Sequence, residues 1–360
     1  MQQWAANNQY NSFNPMKGLL YREQYEEIAR GRVPVPVQAR IDPTLKCPLA
    51  CKWCNSAQYR KHGHELSEEH ITNVLGFLKK WGVKAVVWAG GGEPTYHPQF
   101  EKLLNRNATL GMDAAILSNG MVYNPDVAKA IGELCRWVGI SVDAGSAETY
   151  ARDKGCATFD MVINNIALMA KHAKYKGIGY KFLITPTNQH EVYQACQIAY
   201  NIGAHDFIAR PMDTHHQGMT NTGFDHKDFD ADEIFRQFDK CHKLESEHFH
   251  VYTVMHKFNP DFSHSKGFGQ CYGAPLRIHI ATDGNVYFCD DQYYQEEYRI
   301  GSHYPDPAQI LEFWGKGKHR ELLYGGTPAR CTTRCCVSNL CEQCERLFVN
   351  GDDPMCMNYP

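Results

Sequence analysis

Three cysteines fall within eight residues, Cys47, Cys51 and Cys54, in the stretch KCPLACKWCN. A C-x3-C-x2-C spacing puts three thiolates on one loop, where they can hold three corners of a 4Fe–4S cube. Three ligands for four irons leave one iron open to a further ligand. A zinc knuckle is the competing reading. It needs a fourth Cys or His close by, for which His62 and His64 can be nominated. A second motif lies some forty residues on, at Gly90-Gly91-Gly92-Glu93-Pro94. Adjacent glycines let a backbone approach a ligand, and the Glu93 carboxylate can accept hydrogen bonds from an ammonium group. Taken alone, that run is an ordinary Gly-Pro turn.

The chain has 15 cysteines in 360 residues, and six of them crowd into 331–356. In a large chain without a secretory signal such clusters point to metal rather than to a disulfide framework. The first fifteen residues, MQQWAANNQYNSFNP, lack an apolar signal core, and no stretch approaches the roughly twenty apolar residues of a membrane helix. A cytoplasmic location is expected. Net charge is -3 with no run of Lys or Arg, so neither a nucleic-acid groove nor a membrane surface is indicated.

These motifs sit at the ends of regularly spaced elements. Short apolar runs alternate with amphipathic stretches of helical period from 35 to 211. Strands are predicted at Val35–Ile41, Ala85–Trp88, Ala114–Leu117, Val138–Val142, Tyr180–Ile184 and Asp206–Ala209. Helices fall between them, one opened by Ser67 as N-cap and stopped near Gly82. Six βα units imply an α/β fold with a parallel sheet, read as a partial (β/α)6 TIM-like barrel with its chemistry at the C-terminal strand ends. Residues 1–34 form an N-terminal extension, 35–211 the barrel core and 212–265 a bridge with a helix near Ile234–Leu244. A small Cys-rich region follows over 266–360. It begins with a β-hairpin, Leu276–Ala281 and Val286–Phe288 around Asp283-Gly284.

A cysteine triplet after strand one and a Gly-Gly-Glu-Pro end to strand two together resemble the radical SAM superfamily. The resemblance covers 35–211. It implies that Cys47, Cys51 and Cys54 hold a 4Fe–4S cluster and that the strand end at Gly91, Gly92 and Glu93 receives the amino group of S-adenosylmethionine. Trp53 would pack near the adenine. Ser118 and Asn119 close strand three, Ser141 and Asp143 close strand four, and Arg210 closes strand six; these are the further cofactor contacts it implies. The chemistry implied is reductive cleavage of S-adenosylmethionine to a 5′-deoxyadenosyl radical, which abstracts hydrogen from a substrate carbon. The electron comes from a donor such as flavodoxin or ferredoxin.

The C-terminal cysteines resemble the SPASM extension of the same superfamily. Cys271, Gly284 and Cys289 read C-x12-G-x4-C, and Cys331, Cys335, Cys341 and Cys344 read C-x3-C-x5-C-x2-C, followed by Cys356. The outer spacings of the second motif are exchanged relative to the SPASM pattern. The resemblance implies two auxiliary 4Fe–4S clusters. Cys271, Cys289 and Cys344 would serve one, and Cys331, Cys335, Cys341 and Cys356 the other, with Cys336 a fourth ligand of the first or a bystander. Cys156 is a candidate hydrogen-atom donor, against the plainer reading of a small core residue. Asp213, His215 and His216 lie where substrate contacts are expected, against that of solvated loop residues.

Two substrate classes follow. One is a small polar metabolite such as a sugar or nucleoside. It is preferred because only about 35 residues precede the first strand, too few for the winged-helix module of many peptide-modifying members. The other is a peptide or protein, modified by crosslinking, epimerisation or side-chain oxidation. A non-catalytic zinc or iron–sulfur binding protein is the alternative from another class.

Overall fold

The computed structural model describes residues 20–61, 63–212, 224, 226–255, 258, 268–290, 292–325, 341, 344 and 345. Along the chain come α1 (Arg22–Ala29), β1 (Gln38–Ile41), α2 (Ala57–Arg60), α3 (Glu68–Trp81), β2 (Ala85–Trp88), α4 (Phe100–Thr109) and β3 (Asp113–Ser118). Then follow α5 (Pro125–Leu134), β4 (Cys135–Ser141), α6 (Ala147–Lys154), α7 (Phe159–Lys171), β5 (Ile178–Ile184), α8 (Val192–Asn201) and β6 (Asp206–Pro211). The last elements are α9 (Ala231–His242), β7 (His250–Thr253), β8 (Arg277–Ile280), β9 (Asn285–Tyr287), β10 (Arg299–Ser302), α10 (Ile310–Phe313) and α11 (Gly317–Tyr324).

The described residues form two units, one built from Ile41–Leu75 and from Ala85 through β7, the other from the remainder. In the first, local chemistry sets the helix starts. Ser67 Oγ accepts from the His70 amide at 3.1 Å ahead of α3, and Asn124 caps α5 with Pro125 in its first turn. Ser146 caps α6, which ends at Gly155 in the left-handed region, φ 70°. Strands β2 to β7 pair parallel in sequence order, and the Ala89 amide donates to Ile41 at the end of β1. Residues alternate along each strand. Tyr180, Phe182 and Phe207 are fully buried, whereas Lys181 and Leu183 lie on the opposite, less buried face. The expected α/β order is present.

The stretch 212–265 differs from a simple bridge. Besides α9 it supplies β7, a strand parallel to β6 in which Val251, Tyr252 and Thr253 are buried. Val251, Tyr252 and Thr253 are strand formers, but the run is short and lies in a segment rich in His, Asp and Phe.

In the second unit, Tyr25 and Ile28 of α1 share an apolar cluster with Phe268, Tyr272, Leu276, Cys341 and Cys344. The N-terminal extension therefore joins the C-terminal segment in one core. Strands β8 and β9 form the expected antiparallel hairpin, turning at Gly284 with φ 85°, and β10 adds to β9. Trp314 stacks edge-on against Trp81 and donates Nε1–H to Pro34 O at 2.9 Å. No helix among the described residues is long and apolar enough to cross a membrane.

Candidate metal centre

The cysteine loop is tied down on both sides by main-chain bonds. The Ala50 amide donates to Lys154 O (3.0 Å) and the Lys52 amide to Asp153 O (3.1 Å), which fastens the loop to the end of α6. From α2, Arg60 donates to Cys47 O (3.0 Å) and Leu49 O (2.7 Å), and its other nitrogen lies 3.9 Å from Cys54 Sγ. Cys47, Cys51 and Cys54 are all half-buried free thiols. Burial pushes Cys47 up to about 11, aided by the charge of Glu93, and raises Cys51 as well. Thiols so placed ionise when a cationic group takes the thiolates, so metal binding here releases protons.

The strand-two motif packs directly on this loop. A Cβ on Gly92 would lie 2.5 Å from Leu45 C and 2.6 Å from Thr44 O, and would collide with Lys46 O. The Gly92 and Glu93 amides donate to Thr44 O and Lys46 O at 3.2 and 2.9 Å. The buried Glu93 carboxylate gathers four donors. Oε1 accepts from the Thr95 amide (3.1 Å), Thr95 Oγ1 (2.8 Å) and Ser118 Oγ (2.8 Å), and Oε2 accepts from the Asn119 amide (2.7 Å). Burial raises its pKa, and these bonds oppose the rise. Asn119 Nδ2 in turn approaches Cys47 Sγ at 3.7 Å. Loop, strand two and strand three thus meet at one point.

On the other side of the loop stands Asp143, a non-glycine residue with φ 58°. Its Oδ1 accepts from the Leu183 amide at 2.7 Å, and its Oδ2 pairs with Lys154, whose side chain is buried. Burial works against the Lys154 charge, but Asp143, then Cys51 and Tyr150, hold its pKa above the usual lysine range. Nearby, Glu191 accepts from the Gly145 amide, Ser146 Oγ and Thr149 Oγ1, each at 2.7 Å, and so fixes the start of α6.

Three cysteine thiols on one loop are a donor set that suits three corners of a 4Fe–4S cube. Among the described residues no three Cys, His, Asp or Glu side chains converge on one ion position. A cube presents its irons at separate corners, so its thiolates need not converge. Trp53 is buried with its indole N–H unpartnered, a donor available beside the loop.

Residues 41–192 match the family model described as the radical SAM superfamily. The chain carries a radical SAM domain. It is 28% identical over 180 residues to the mycofactocin maturase MftC of Mycobacterium tuberculosis, a match covering 50% of this chain and 45% of that one. The chain thus spans under half the length of this relative. It is 25% identical over 264 residues to a probable GTP 3′,8-cyclase of Saccharolobus islandicus, covering 69% of this chain and 81% of the cyclase. Among solved structures, Streptococcus suis SuiB bound to the precursor peptide SuiA matches with TM-score 0.65 at 15% identity, over 92% of this chain and 76% of that one. This last likeness is one of fold.

Within the radical SAM domain, Gly91, Gly92, Glu93, Ser118 and Asn119 come together with the cysteines, and Asp143 lies on their far side. Ser141 is half-buried opposite Lys181, and Arg210 is exposed at the end of β6. Cys156 is half-buried and lies near Tyr123 and Tyr150. In the second unit, the Tyr272 amide donates to Cys341 Sγ (3.2 Å) and the Ala274 amide to Cys271 Sγ (3.3 Å). A hydrogen bond with Cys341, then burial, raises Cys271, while burial pushes Cys344 up to about 12. Cys341, which the SPASM resemblance assigns to the second set, lies against Cys271. Cys289 is half-buried just after β9. Cys331, Cys335, Cys336, Cys356, Asp213, His215, His216 and the nominated zinc ligand His62 lie outside the described residues.

Sequence reading missed Arg60, Lys154 and Lys181. Arg60 and Lys154 sit in stretches of mixed charge that read as solvated helix faces. The only hint for Lys154 is that it precedes a helix-ending glycine.

Proposed function

We propose that the chain is a radical SAM enzyme that modifies a peptide or protein, with Cys47, Cys51 and Cys54 as ligands of its 4Fe–4S cluster. When bound, the cluster would supply the one electron that breaks the sulfonium–C5′ bond of S-adenosylmethionine, giving methionine and a 5′-deoxyadenosyl radical that leaves as 5′-deoxyadenosine after taking a hydrogen atom from a substrate carbon. The observation that carries this reading is the packing of the Gly-Gly-Glu strand end onto the cysteine loop, closed by Glu93, Ser118 and Asn119. Glu93 and the backbone beside Gly91 and Gly92 receive the cofactor's amino group. Asn119 and Arg60 steady the thiolate loop, and Trp53 offers an indole N–H and an apolar face. Asp143, Lys154 and Ser141 orient the remaining polar groups of the cofactor. Cys271, Cys289, Cys341 and Cys344, with the cysteines of 331–356, hold auxiliary clusters in a SPASM-like extension. A flavodoxin- or ferredoxin-type donor supplies electrons in the cytoplasm.

Two similarities support the peptide class over the small polar metabolite: the maturase MftC in sequence, and the fold shared with a protein that binds a precursor peptide. A nucleotide substrate is the second reading, supported by the similarity that covers most of a GTP cyclase. Co-expression with short peptides encoded beside the gene separates the two. A mass change in one such peptide, together with peptide-stimulated 5′-deoxyadenosine release, is expected. Stimulation by GTP with no peptide modified would replace the first reading by the second.

A further inference from the structure

On the less buried face of the first unit, three adjacent strands carry polar groups. Ser141 of β4 stands opposite Lys181 of β5, and Leu183 stands opposite Arg210 of β6. Lys181 and Arg210 are therefore diagonal neighbours on one face, since alternation keeps residues 181, 183, 208 and 210 together. Gly139 makes room for the lysine. A Cβ there would lie 2.9 Å from Lys181 Cδ and 2.6 Å from Trp137 Cη2, so the lysine stem and the indole edge meet over a bare backbone.

Two cationic side chains thus share one face. Among the described residues neither cationic head has a hydrogen bond or an ion pair. The carboxylate nearest in the strand order, Asp143, already has Lys154 on one oxygen and the Leu183 amide on the other. Lys154 is the cation beside the cysteine loop, whereas Lys181 and Arg210 lie one and two strands further on. Adjacent cations, one half-buried and one exposed, suit an anion, and a planar guanidinium beside an ammonium suits a carboxylate.

We propose that Lys181 and Arg210 form an anion subsite that takes a carboxylate of the substrate. This rests on the peptide reading above, and the carboxylate then belongs either to the peptide's C-terminus or to an Asp or Glu side chain. Lys181 faces Arg210 from β6, Asp143 from the end of β4 and Lys154 from α6. Burial, then Arg210, brings its pKa down to about 7, so it gains most from an anionic partner.

The test uses the iron-reconstituted full chain loaded with S-adenosylhomocysteine, read by calorimetry and by the fluorescence difference from a Trp137→Phe control. The probes are N-acetyl-glycylglycine for a terminal carboxylate, N-acetyl-aspartyl-glycine amide for a side-chain carboxylate, and N-acetyl-glycylglycine amide as neutral reference. One carboxylate probe should bind at least tenfold more tightly than the reference, and which one does so names the source. Lys181→Met and Arg210→Met should erase that advantage. Lys181→Arg should keep it, and should also abolish its decline above about pH 7. If neither carboxylate probe outbinds the amide, the subsite is refuted. It is equally refuted if Lys181→Met weakens S-adenosylhomocysteine more than threefold, since the pair then serves the cofactor. Protein that takes up no iron and binds no S-adenosylhomocysteine would instead overturn the enzyme reading itself.

Discussion

The two groups of cysteines are held by different means. Cys47, Cys51 and Cys54 ride on a loop fastened by main-chain bonds to α6, by Arg60 to its own carbonyls, and by close packing to the strand end at Gly92. This scaffold is built from protein groups alone. Cys271, Cys341 and Cys344 sit instead in an apolar cluster around Tyr25, Ile28, Phe268 and Tyr272, with thiol acting as acceptor for main-chain amides. Here the sulfurs are themselves part of the core. On the proposed reading, the first arrangement positions a reactive cluster, and the second would make metal and folding interdependent.

The largest expected effect follows directly. Chelating the metal, or replacing Cys271, Cys341 and Cys344 by Ala, should destabilise the second unit far more than Cys47, Cys51 and Cys54 replacements destabilise the first. Hydrogen exchange resolved by segment, with and without chelator, measures this; equal loss of protection in both would erase the distinction. Next comes Gly92→Ala. Its Cβ would be forced against the backbone of residues 44–46, so a destabilisation of about 1–3 kcal/mol with weaker S-adenosylhomocysteine binding is expected, by denaturant titration and calorimetry. An alanine tolerated at no cost would mean that loop and strand end are not packed as described.

The smallest effect concerns pH. Burial lifts the Asp206 carboxyl from 3.8 to about 7. Between those values the folded chain keeps a proton that the unfolded chain releases, so this residue's contribution to stability falls as pH rises from about 4 to about 7. Asp206→Asn should flatten that slope and stabilise the chain at pH 8 by on the order of 2 kcal/mol. An unchanged pH profile would show that Asp206 is solvated.

The parts of this site that local chemistry dictates were visible in the sequence. Cysteine spacing, the glycine run before Glu93, the helix caps at Ser67 and the turn at Gly284 are each written in a few adjacent residues. Lys154 and Lys181 were not, because what makes them unusual is burial beside Asp143 and Arg210, which only the strand register creates. Strand β7 was passed over because its short run of strand formers, Val251 to Thr253, lies in a His-rich segment. The proximity of Cys341 to Cys271 was not legible either, because the core of the second unit creates it between residues seventy apart in the chain.

The central claim is that the thiolates of Cys47, Cys51 and Cys54 carry the cluster that cleaves S-adenosylmethionine. Anaerobic reconstitution with iron and sulfide, then iron analysis and 5′-deoxyadenosine release under reductant, tests it most directly. Cleavage should require all three cysteines and survive replacement of Cys271, Cys341 and Cys344 in whatever protein remains folded. Zinc in place of iron, or cleavage that persists in the Cys47→Ala, Cys51→Ala, Cys54→Ala variant, would contradict it.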